Sequence, residues 1–313
     1  MAAVKPQILQ TWLYHADLLG LMLGRLTSVR KIVWNIRGSY HDLTKYGRLT
    51  KCIIHLCSKF SHLPNAIVCN SKAGLKFHRS LGYRAKDWIF IPNGFDINKF
   101  KPNQAAKITL KKRLHRILGE RIVRNSHGIQ FEKDFSLVGL VARYSAMKDH
   151  KTFTKAASNL LKKNSNIYFV LIGRGVTWHN EKLARQIPAE LRNHFQLLGE
   201  RDDIGMIMPG LDILCSSSYG EGFPNVIGEA MSCAVPCVVT NVGDSAFIVG
   251  NTGKVVPARD PEALAKGIME LLEMSPEERF EMGKKARERI ENHFSLGRIV
   301  AEYEDFYRHL VEF

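Results

Sequence analysis

The chain has 313 residues, of which 45% are hydrophobic and 24% are charged. This length supports two domains that each bury a core, and this balance excludes a disordered chain. No apolar run reaches the length of about 18 residues that a spanning helix needs, and the first residues lack the apolar stretch of a signal peptide. The six cysteines show no CxxC spacing and lie in apolar segments, as buried thiols do in a reducing compartment. We therefore expect a cytoplasmic protein.

The formal net charge of +15 is concentrated in the first third of the chain. Residues 1–103 carry 16 Lys and Arg against 4 Asp and Glu, which gives this segment a net charge of +12. Such a segment favours an anionic partner, namely the inner face of a membrane, a lipid-linked phosphate acceptor or nucleic acid, and a solvated basic surface is the alternative. We expect no nucleic-acid partner, because basic and aromatic residues are not interleaved and no known reader motif occurs.

Short apolar runs alternate with helical patterns over the first hundred residues. Strands are predicted at 7–12, 31–36, 66–69 and 88–91, and helices are predicted at 17–25, 43–60 and 71–81. This alternation predicts a parallel sheet. Turn-forming residues at 91–96, IPNGFD, end the pattern, and residues 101–133 are polar, basic and partly helical without a predicted strand.

The alternation restarts at residue 136 and predicts a second parallel sheet. Strands are predicted at 136–142, 166–172, 195–198, 212–216 and 236–240, and helices at 151–163, 224–232, 261–273, 276–292 and 296–310. The predicted fold class is therefore α/β. The predicted domains are 1–97 and 135–293, with a linker and basic helical segment at 98–134 and a C-terminal helix at 294–313 that packs back on the first domain.

A Gly-rich loop between a strand and a helix carries two glutamates, Glu221 and Glu229. It spans residues 217–230, SSYGEGFPNVIGEA. We expect Pro224 at the first helical position, which puts Glu221 at the carboxyl end of a strand and Glu229 about two turns along the helix. Open parallel sheets bind ligands at this edge, and amides at a helix start suit phosphate or sugar oxygens. In the alternative, Glu221 only interacts with the helix dipole and Glu229 lies on the surface.

A second loop, GLVARYSAMKDH at residues 139–150, places two cations after a predicted strand. Arg143 can donate two hydrogen bonds to one phosphate, and Lys148 can act as a point charge. Together they would stabilise a leaving diphosphate as negative charge develops on it. Solvated loop cations are the alternative.

Both loops resemble those of retaining nucleotide-sugar glycosyltransferases of the two-domain GT-B fold, the glycosyl transferases of group 1, similar to glycosyltransferase family 4. The resemblance covers about residues 7–272 and implies two facing, Rossmann-like, doubly wound sheets. It implies that a sugar moves, with retention, from a nucleoside diphosphate sugar to a hydroxyl of a glycan or lipid-linked acceptor, in the biosynthesis of polysaccharide, capsule, lipopolysaccharide or glycolipid. The resemblance implies neither a metal ion nor another cofactor, and no clustered His, Cys and Asp set contradicts this.

The resemblance also implies roles for single residues. In the family's Glu-x7-Glu motif the first glutamate, here Glu221, holds sugar hydroxyls and the second, here Glu229, holds the nucleotide ribose. Arg143 and Lys148 match the cations that bind the diphosphate. Residues 198–203 resemble the loop that lines the base pocket, and residues 242–244 resemble a loop beneath the donor or else form an ordinary turn. The other donor-binding candidates are Gly199, Arg201, Gly222, Phe223, Pro224, Asn225 and Val226.

Weaker candidates lie in the first domain. His15 resembles an acceptor-facing residue that contacts the sugar or the acceptor, and a packing histidine is the alternative. Arg37 stands where many relatives place a histidine near the anomeric carbon, so it binds a phosphate or is a surface arginine. Asn70 and Ser71 open another strand-to-helix turn, with helix capping by Ser71 as the alternative. The catalytic candidates are therefore Glu221, Arg143, Lys148 and His15.

Family members usually have a further βαβ unit before the strand at 7–12. We therefore expect an N-terminally truncated chain with an incomplete first domain. A non-catalytic or inactive sugar-nucleotide-binding remnant is the alternative to an active transferase. A second alternative is an isomerase or phosphorylase of the same fold that acts on nucleotide or phosphorylated sugars.

Overall fold

A computed structural model of the protein describes residues 5–27, 29–38, 47–118, 122–125, 128–131 and 135–312. The strands in these ranges are β1 (Ile8–Trp12), β2 (Lys31–Ile36), β3 (Ala66–Cys69), β4 (Trp88–Phe90), β5 (Ile122–Asn125), β6 (Gly128–Phe131), β7 (Ser136–Val141), β8 (Ile167–Ile172), β9 (Phe195–Leu197), β10 (Ile213–Ser216), β11 (Cys237–Thr240) and β12 (Gly253–Val256). The α-helices are α1 (Tyr14–Leu26), α2 (Arg48–Phe60), α3 (Lys72–Ser80), α4 (Gln104–Leu118), α5 (His150–Leu161), α6 (Glu181–Ala184), α7 (Ile204–Ile207), α8 (Asn225–Ser232), α9 (Ser245–Val249), α10 (Pro261–Leu272), α11 (Pro276–His293) and α12 (Leu296–Glu312).

The chain divides into two compact units. The first comprises Met1–Gly94, Gly220–Pro224 and Phe294–Phe313, and the second comprises Phe95–Tyr219 and Asn225–His293. Helix α12 therefore belongs to the first unit, and so does the short segment that carries Glu221.

The first unit is built on a parallel sheet with the strand order β1-β2-β3-β4. Its central strands are buried almost throughout, as expected for a parallel sheet that is covered on both faces. On one face, α1 and α2 pack around Trp34 and Ile67. On the other face, Ile299 and Tyr303 of α12 pack against Val33.

The second unit is built on a six-stranded parallel sheet with the order β12-β11-β10-β7-β8-β9. This is the strand order of the Rossmann fold, in which the chain leaves the central pair, here β7 and β10, towards opposite edges of the sheet. At the centre of its core the Phe169 ring stacks on the Phe195 ring, with centroids 4.9 Å apart, and meets the Phe153 ring edge to face, with centroids 5.7 Å apart. Ligands of such sheets bind in the crevice at the carboxyl ends of the two strands where the direction reverses.

The structure confirms the α/β class and the two parallel sheets, and it corrects several element boundaries. Helix α1 begins at Tyr14, earlier than predicted, and α8 begins one residue after Pro224. Residues 43–46 of the predicted helix 43–60, and residues 119–121, 126–127 and 132–134 of the predicted linker, lie outside the described residues.

Two predictions of strand content were wrong. The linker, predicted to lack strands, contains β5 and β6 as an antiparallel hairpin that pairs Ile122 with Phe131 and Asn125 with Gly128. Its β-branched residues favour strands, but the many surrounding Lys and Arg residues hide this signal. Strand β12 was not predicted either, because four residues with only two valines are too short for a clear pattern.

Within the described ranges, no helix has both the length and the apolar composition that crossing a membrane requires.

Candidate active site

The loop after β7 carries Arg143, which is exposed, and Lys148, which is half-buried. Tyr144 donates its backbone N–H to the Arg174 carbonyl of the β8 loop at 2.8 Å. Ser217, which follows β10, donates its hydroxyl to the Lys148 carbonyl at 2.9 Å. The loops that follow β8 and β10, the two neighbours of β7 in the sheet, therefore hold the backbone on which Arg143 and Lys148 stand.

The end of this loop is shaped by Asp149, whose φ of 45° lies in the left-handed region. Its carboxylate accepts hydrogen bonds from the Thr152 backbone N–H and hydroxyl, at 3.2 and 2.7 Å, and so caps α5. The next residue, His150, is buried beside the Tyr144 ring at 5.2 Å, and burial lowers its pKa to about 4. His150 is therefore neutral at pH 7, and the positive charges of this loop are those of Arg143 and Lys148.

Glu229 lies in the second unit, on the second turn of α8. The side chain is half-buried, and this burial raises the pKa of its carboxyl group, while the positive charge of Lys99 opposes the shift. Its neighbour Gly228 packs directly against the ring of Phe95. Glu229 therefore sits on a helix that is fixed by close packing, in the same unit as Arg143 and Lys148.

The residues from Glu221 to Pro224 belong to the first unit, so the structure places the two glutamates of the motif in different units. Phe223 is buried, and its ring lies 5.9 Å from that of Phe294. Pro224 is also buried, whereas Asn225 is exposed and Val226 is half-buried on the first turn of α8. Phe223 thus makes a packing contact that sequence reasoning did not assign to it.

The predicted base-side loop follows β9. Gly199 has a φ of 69°, and its two backbone polar groups are already paired, the N–H with the Val176 carbonyl at 2.9 Å and the carbonyl with the Gly173 N–H at 2.7 Å. Arg201 donates two hydrogen bonds to the Asp203 carboxylate at 2.8 and 2.6 Å, and this pairing raises the pKa of Arg201. The guanidinium is thus oriented along its own loop.

The candidates of the first unit have different surroundings. His15 is exposed on the first turn of α1, and the Arg37 guanidinium lies 4.8 Å from the centre of the Trp12 ring. The Ser71 hydroxyl accepts a hydrogen bond from the Gly74 N–H at 2.7 Å, which confirms the alternative that Ser71 caps α3. Asn70 donates to the Asn93 side chain at 3.0 Å.

Sequence reasoning assigned no role to Lys99, Tyr219 or Arg259, which lie near the predicted donor residues of the second unit. Tyr219 donates its N–H to the Met147 carbonyl at 2.9 Å, next to Lys148, and Arg259 stacks on the Tyr219 ring. Recognition of β12 as a strand would have marked Arg259 as a residue at a strand end. Among the described residues, no three His, Cys, Asp or Glu side chains form a group that could hold a metal ion.

A Rossmann-ordered sheet with a basic loop at its switch point defines a doubly wound α/β protein with its ligand crevice at the carboxyl ends of the strands. The model of the family described as "Glycosyl transferases group 1" matches residues 135–274. A UDP-Gal:alpha-D-GlcNAc-diphosphoundecaprenol alpha-1,3-galactosyltransferase of Escherichia coli is 30% identical over 313 residues, which cover 98% of this chain and 76% of that protein. The chain belongs to this glycosyltransferase family.

Further similarities agree with this assignment. The capsular polysaccharide biosynthesis glycosyltransferase CapM of Staphylococcus aureus is 22% identical over 308 residues, which cover 97% of this chain and 77% of that protein. A crystal structure of Anabaena Alr3699/HepE in complex with UDP and glucose superposes with a TM-score of 0.79 and 21% identity, over 97% of this chain and 78% of that chain. The fold is therefore GT-B.

Proposed function

We propose that the chain transfers a sugar, with retention of configuration and without a metal ion, from a nucleoside diphosphate sugar to a hydroxyl of a glycan or lipid-linked acceptor. The observation that carries this proposal is the position of Arg143 and Lys148 at the switch point of the second sheet, in the same unit as Glu229. The name of the Escherichia coli relative gives a UDP-sugar donor and a diphosphoundecaprenol acceptor, which supports a role in polysaccharide or glycolipid biosynthesis.

Donor binding in this proposal uses opposite charges at the two ends of the nucleoside diphosphate. Arg143 binds the diphosphate through its two-pronged guanidinium and Lys148 adds a point charge, while the Glu229 carboxylate accepts hydrogen bonds from the ribose hydroxyls. The loop at Gly199 and Arg201 lines the base. The backbone N–H groups of Gly222, Phe223, Asn225 and Val226 bind phosphate or sugar oxygens, and Pro224, which has no N–H, sets the backbone between them.

The transfer step breaks the bond between the anomeric carbon and the diphosphate oxygen, and forms a bond from that carbon to the acceptor oxygen. The proton of the acceptor hydroxyl passes to the leaving diphosphate. The hydroxyl attacks from the face that the diphosphate leaves, so the configuration is retained. Arg143 and Lys148 stabilise the charge that develops on the leaving group, which is the role that a divalent cation has in other transferases.

Two residues of the first unit have proposed roles of their own. Glu221 accepts hydrogen bonds from the sugar hydroxyls and so orients the anomeric carbon. His15, which is exposed at the start of α1, contacts the sugar or the acceptor. Oriented reactants account for several kcal/mol of barrier lowering in enzymes, so these contacts affect turnover more than donor affinity.

Calorimetric titration with UDP, GDP and ADP tests the donor site. A charged hydrogen bond contributes roughly 1.5–3 kcal/mol, so Arg143→Ala and Glu229→Ala should each weaken the preferred nucleotide about tenfold or more. Arg185→Ala is the matched control, because Arg185 is an exposed cation of the same unit that pairs only with the neighbouring Glu181 among the described residues. Equal affinities in the folded wild type and both site variants would reject these assignments.

Two product measurements test the reaction itself. NMR of the glycoside product should show the anomeric configuration of the donor, and activity should persist in excess EDTA. An inverted product would reject retention, and loss of activity that added Mg²⁺ or Mn²⁺ restores would reject metal independence. A nucleotide-binding protein that releases no nucleotide with any acceptor would instead be a sugar-nucleotide-binding remnant.

We further propose that the first unit associates with anionic membrane surfaces. The three segments of this unit carry 16 Lys and Arg against 8 Asp and Glu, which gives it a net charge of +8, and exposed cations such as Lys51 and Lys59 stand on α2. Sedimentation with vesicles should show binding to anionic but not to neutral vesicles, and salt should reduce it. The Lys51→Glu/Lys59→Glu variant should bind anionic vesicles less than the control Lys162→Glu/Lys163→Glu of the second unit. If the wild type bound neutral and anionic vesicles equally, the association would not be electrostatic.

A further inference from the structure

Arg259 stands in the loop between β12 and α10, at the carboxyl edge of the second sheet. Both ends of this loop are fixed. The Val256 carbonyl accepts a hydrogen bond from the Asn241 N–H at 2.8 Å, and the Asp260 carboxylate caps α10 through the N–H groups of Glu262 and Ala263 at 3.0 and 2.9 Å. Arg259 is therefore held between a paired strand and a capped helix.

The backbone of Arg259 has a φ of 61°, in the left-handed region that glycine and asparagine adopt more easily than arginine does. Residues in such conformations often serve function, because local strain persists only where the surrounding structure enforces it. An arginine at this position costs conformational energy that a glycine would avoid. The presence of an arginine side chain at this position therefore calls for a functional reason.

The Arg259 guanidinium carbon lies 4.1 Å from the centre of the Tyr219 ring. A guanidinium that stacks on an aromatic face keeps its N–H donors directed outward in its own plane. Among the described residues, no carboxylate forms an ion pair with Arg259. The neighbouring Asp260 carboxylate instead accepts the N–H groups at the start of α10. The stack thus presents an oriented cation with donors available to a ligand.

Tyr219 connects this cation to the diphosphate loop. Its backbone N–H donates to the Met147 carbonyl at 2.9 Å, and Lys148 is the next residue of that loop. Two residues earlier, the Ser217 hydroxyl donates to the carbonyls of Lys148 and Asp149 at 2.9 and 3.1 Å. Arg259 and Lys148 are therefore attached to the same short segment at the end of β10, at the edge where parallel sheets bind ligands.

We infer that Arg259 is a substrate-positioning residue that binds a phosphate oxyanion through the outward N–H groups of its stacked guanidinium. This inference rests on the proposed function, since it adds a third cation to the site of Arg143 and Lys148. The phosphate has two possible sources, the diphosphate of the donor or a phosphate of the acceptor. Planar, two-pronged donation is specific to arginine, so lysine should replace Arg259 only in part.

Titrations of the whole chain test the inference, with inorganic pyrophosphate and UDP as donor probes and hexyl phosphate, added to the UDP-saturated protein, as the acceptor probe. Arg259→Gly is the main variant, because glycine accepts the left-handed backbone and should leave the melting temperature unchanged or higher. We expect it to weaken one class of probe about tenfold, the loss of one charged hydrogen bond. Arg259→Lys should give an intermediate loss, Tyr219→Leu should weaken the same probe by releasing the guanidinium, and Arg185→Ala should change nothing.

The outcomes distinguish the two possible sources of the phosphate, the donor and the acceptor. Weaker pyrophosphate and UDP binding assigns Arg259 to the donor, and weaker hexyl phosphate binding with unchanged UDP affinity assigns it to the acceptor. Unchanged affinities for all three probes in folded Arg259→Gly would overturn the inference while the wild-type binding still supports the proposed function. A wild-type chain that binds neither pyrophosphate nor UDP would contradict the proposed function and this inference together.

Discussion

The ring of Phe95 lies directly against the Cα of Gly228, so that a Cβ at position 228 would come within 2.1 Å of the Phe95 Cζ. Both residues are buried in the second unit, and Gly228 immediately precedes Glu229. A side chain at 228 must displace either the ring or the helix. The position of Glu229 therefore depends on the absence of a side chain at the preceding residue.

Gly228→Ala should lower the free energy of unfolding by about 1–3 kcal/mol, the usual range for inserting a methyl group into a packed core. It should also weaken binding of the preferred nucleotide, because α8 carries Glu229. Gly297→Ala is the control: it lies on α12 with no heavy atom within 4 Å of the added Cβ, so alanine should be neutral or stabilising there. The Phe95→Leu/Gly228→Ala double variant should recover part of the lost stability, and strictly additive losses would argue against the contact.

Arg287 joins the end of α8 to the segment that follows Phe95. Its guanidinium donates to the carbonyls of Ser232 and Phe100 at 2.5 and 3.3 Å and pairs with Glu291 at 2.7 Å. Arg287→Ala should lower the free energy of unfolding by about 1.5–3 kcal/mol in urea titrations, because the carbonyls of two buried residues lose a charged partner. Arg185→Ala, which removes an exposed pair, should stay within about 0.5 kcal/mol, and an equal effect of the two variants would contradict this role.

Asp17 is a buried acid whose carboxylate accepts a hydrogen bond from the Thr11 hydroxyl at 2.6 Å. Burial raises its pKa from 3.8 to about 7. The folded chain thus holds this proton more tightly than the unfolded chain, so the contribution to stability is full below about pH 4 and is lost as the pH rises through 7. The free energy of unfolding of the wild type, relative to that of Asp17→Asn, should therefore fall from acid to neutral pH.

Urea unfolding of both proteins between about pH 4.5 and 8, at intervals of about half a pH unit, measures this difference in the free energy of unfolding. Asp87→Asn is the control, since Asp87 is an exposed acid of the same unit and its replacement also removes one carboxyl group. Parallel curves for the wild type and Asp17→Asn would show that Asp17 keeps an ordinary pKa in the folded chain.

Burial raises the pKa of Glu229, and the positive charge of Lys99 opposes this effect. Lys99→Met removes the charge but keeps most of the aliphatic stem, so the pKa of Glu229 should rise further. The ribose contact proposed for Glu229 needs the carboxylate. As the solution is acidified, affinity for the preferred nucleotide should therefore decline at a higher pH in Lys99→Met than in the wild type. Titrations over a pH series check this, with Lys101→Met, an exposed cation nearby, as the control. If the pH profiles of the wild type and Lys99→Met were superimposable, Lys99 would have no effect on nucleotide binding through Glu229.

The sequence by itself determined the fold class, the strands with long β-branched runs and the loops that carry Arg143 and Lys148. Strand β2 was predicted with both of its ends, because a buried central strand is a continuous apolar run that only its own residues define. The position of a cation after such a strand follows from chain order alone. Short elements in a polar context, such as β5, β6 and β12, gave no comparable signal.

Only the tertiary structure decided which distant side chains meet. The Phe95 ring against Gly228 joins residues more than a hundred positions apart, and the stack of Arg259 on Tyr219 joins two separate strand ends. It also decided that Ser71 caps a helix and that the segment with Glu221 belongs to the first unit, whereas Glu229 belongs to the second. The physical reason is that local patterns set backbone conformation over a few residues, whereas contacts between elements depend on how the sheets bury their apolar faces, which no short stretch of sequence encodes.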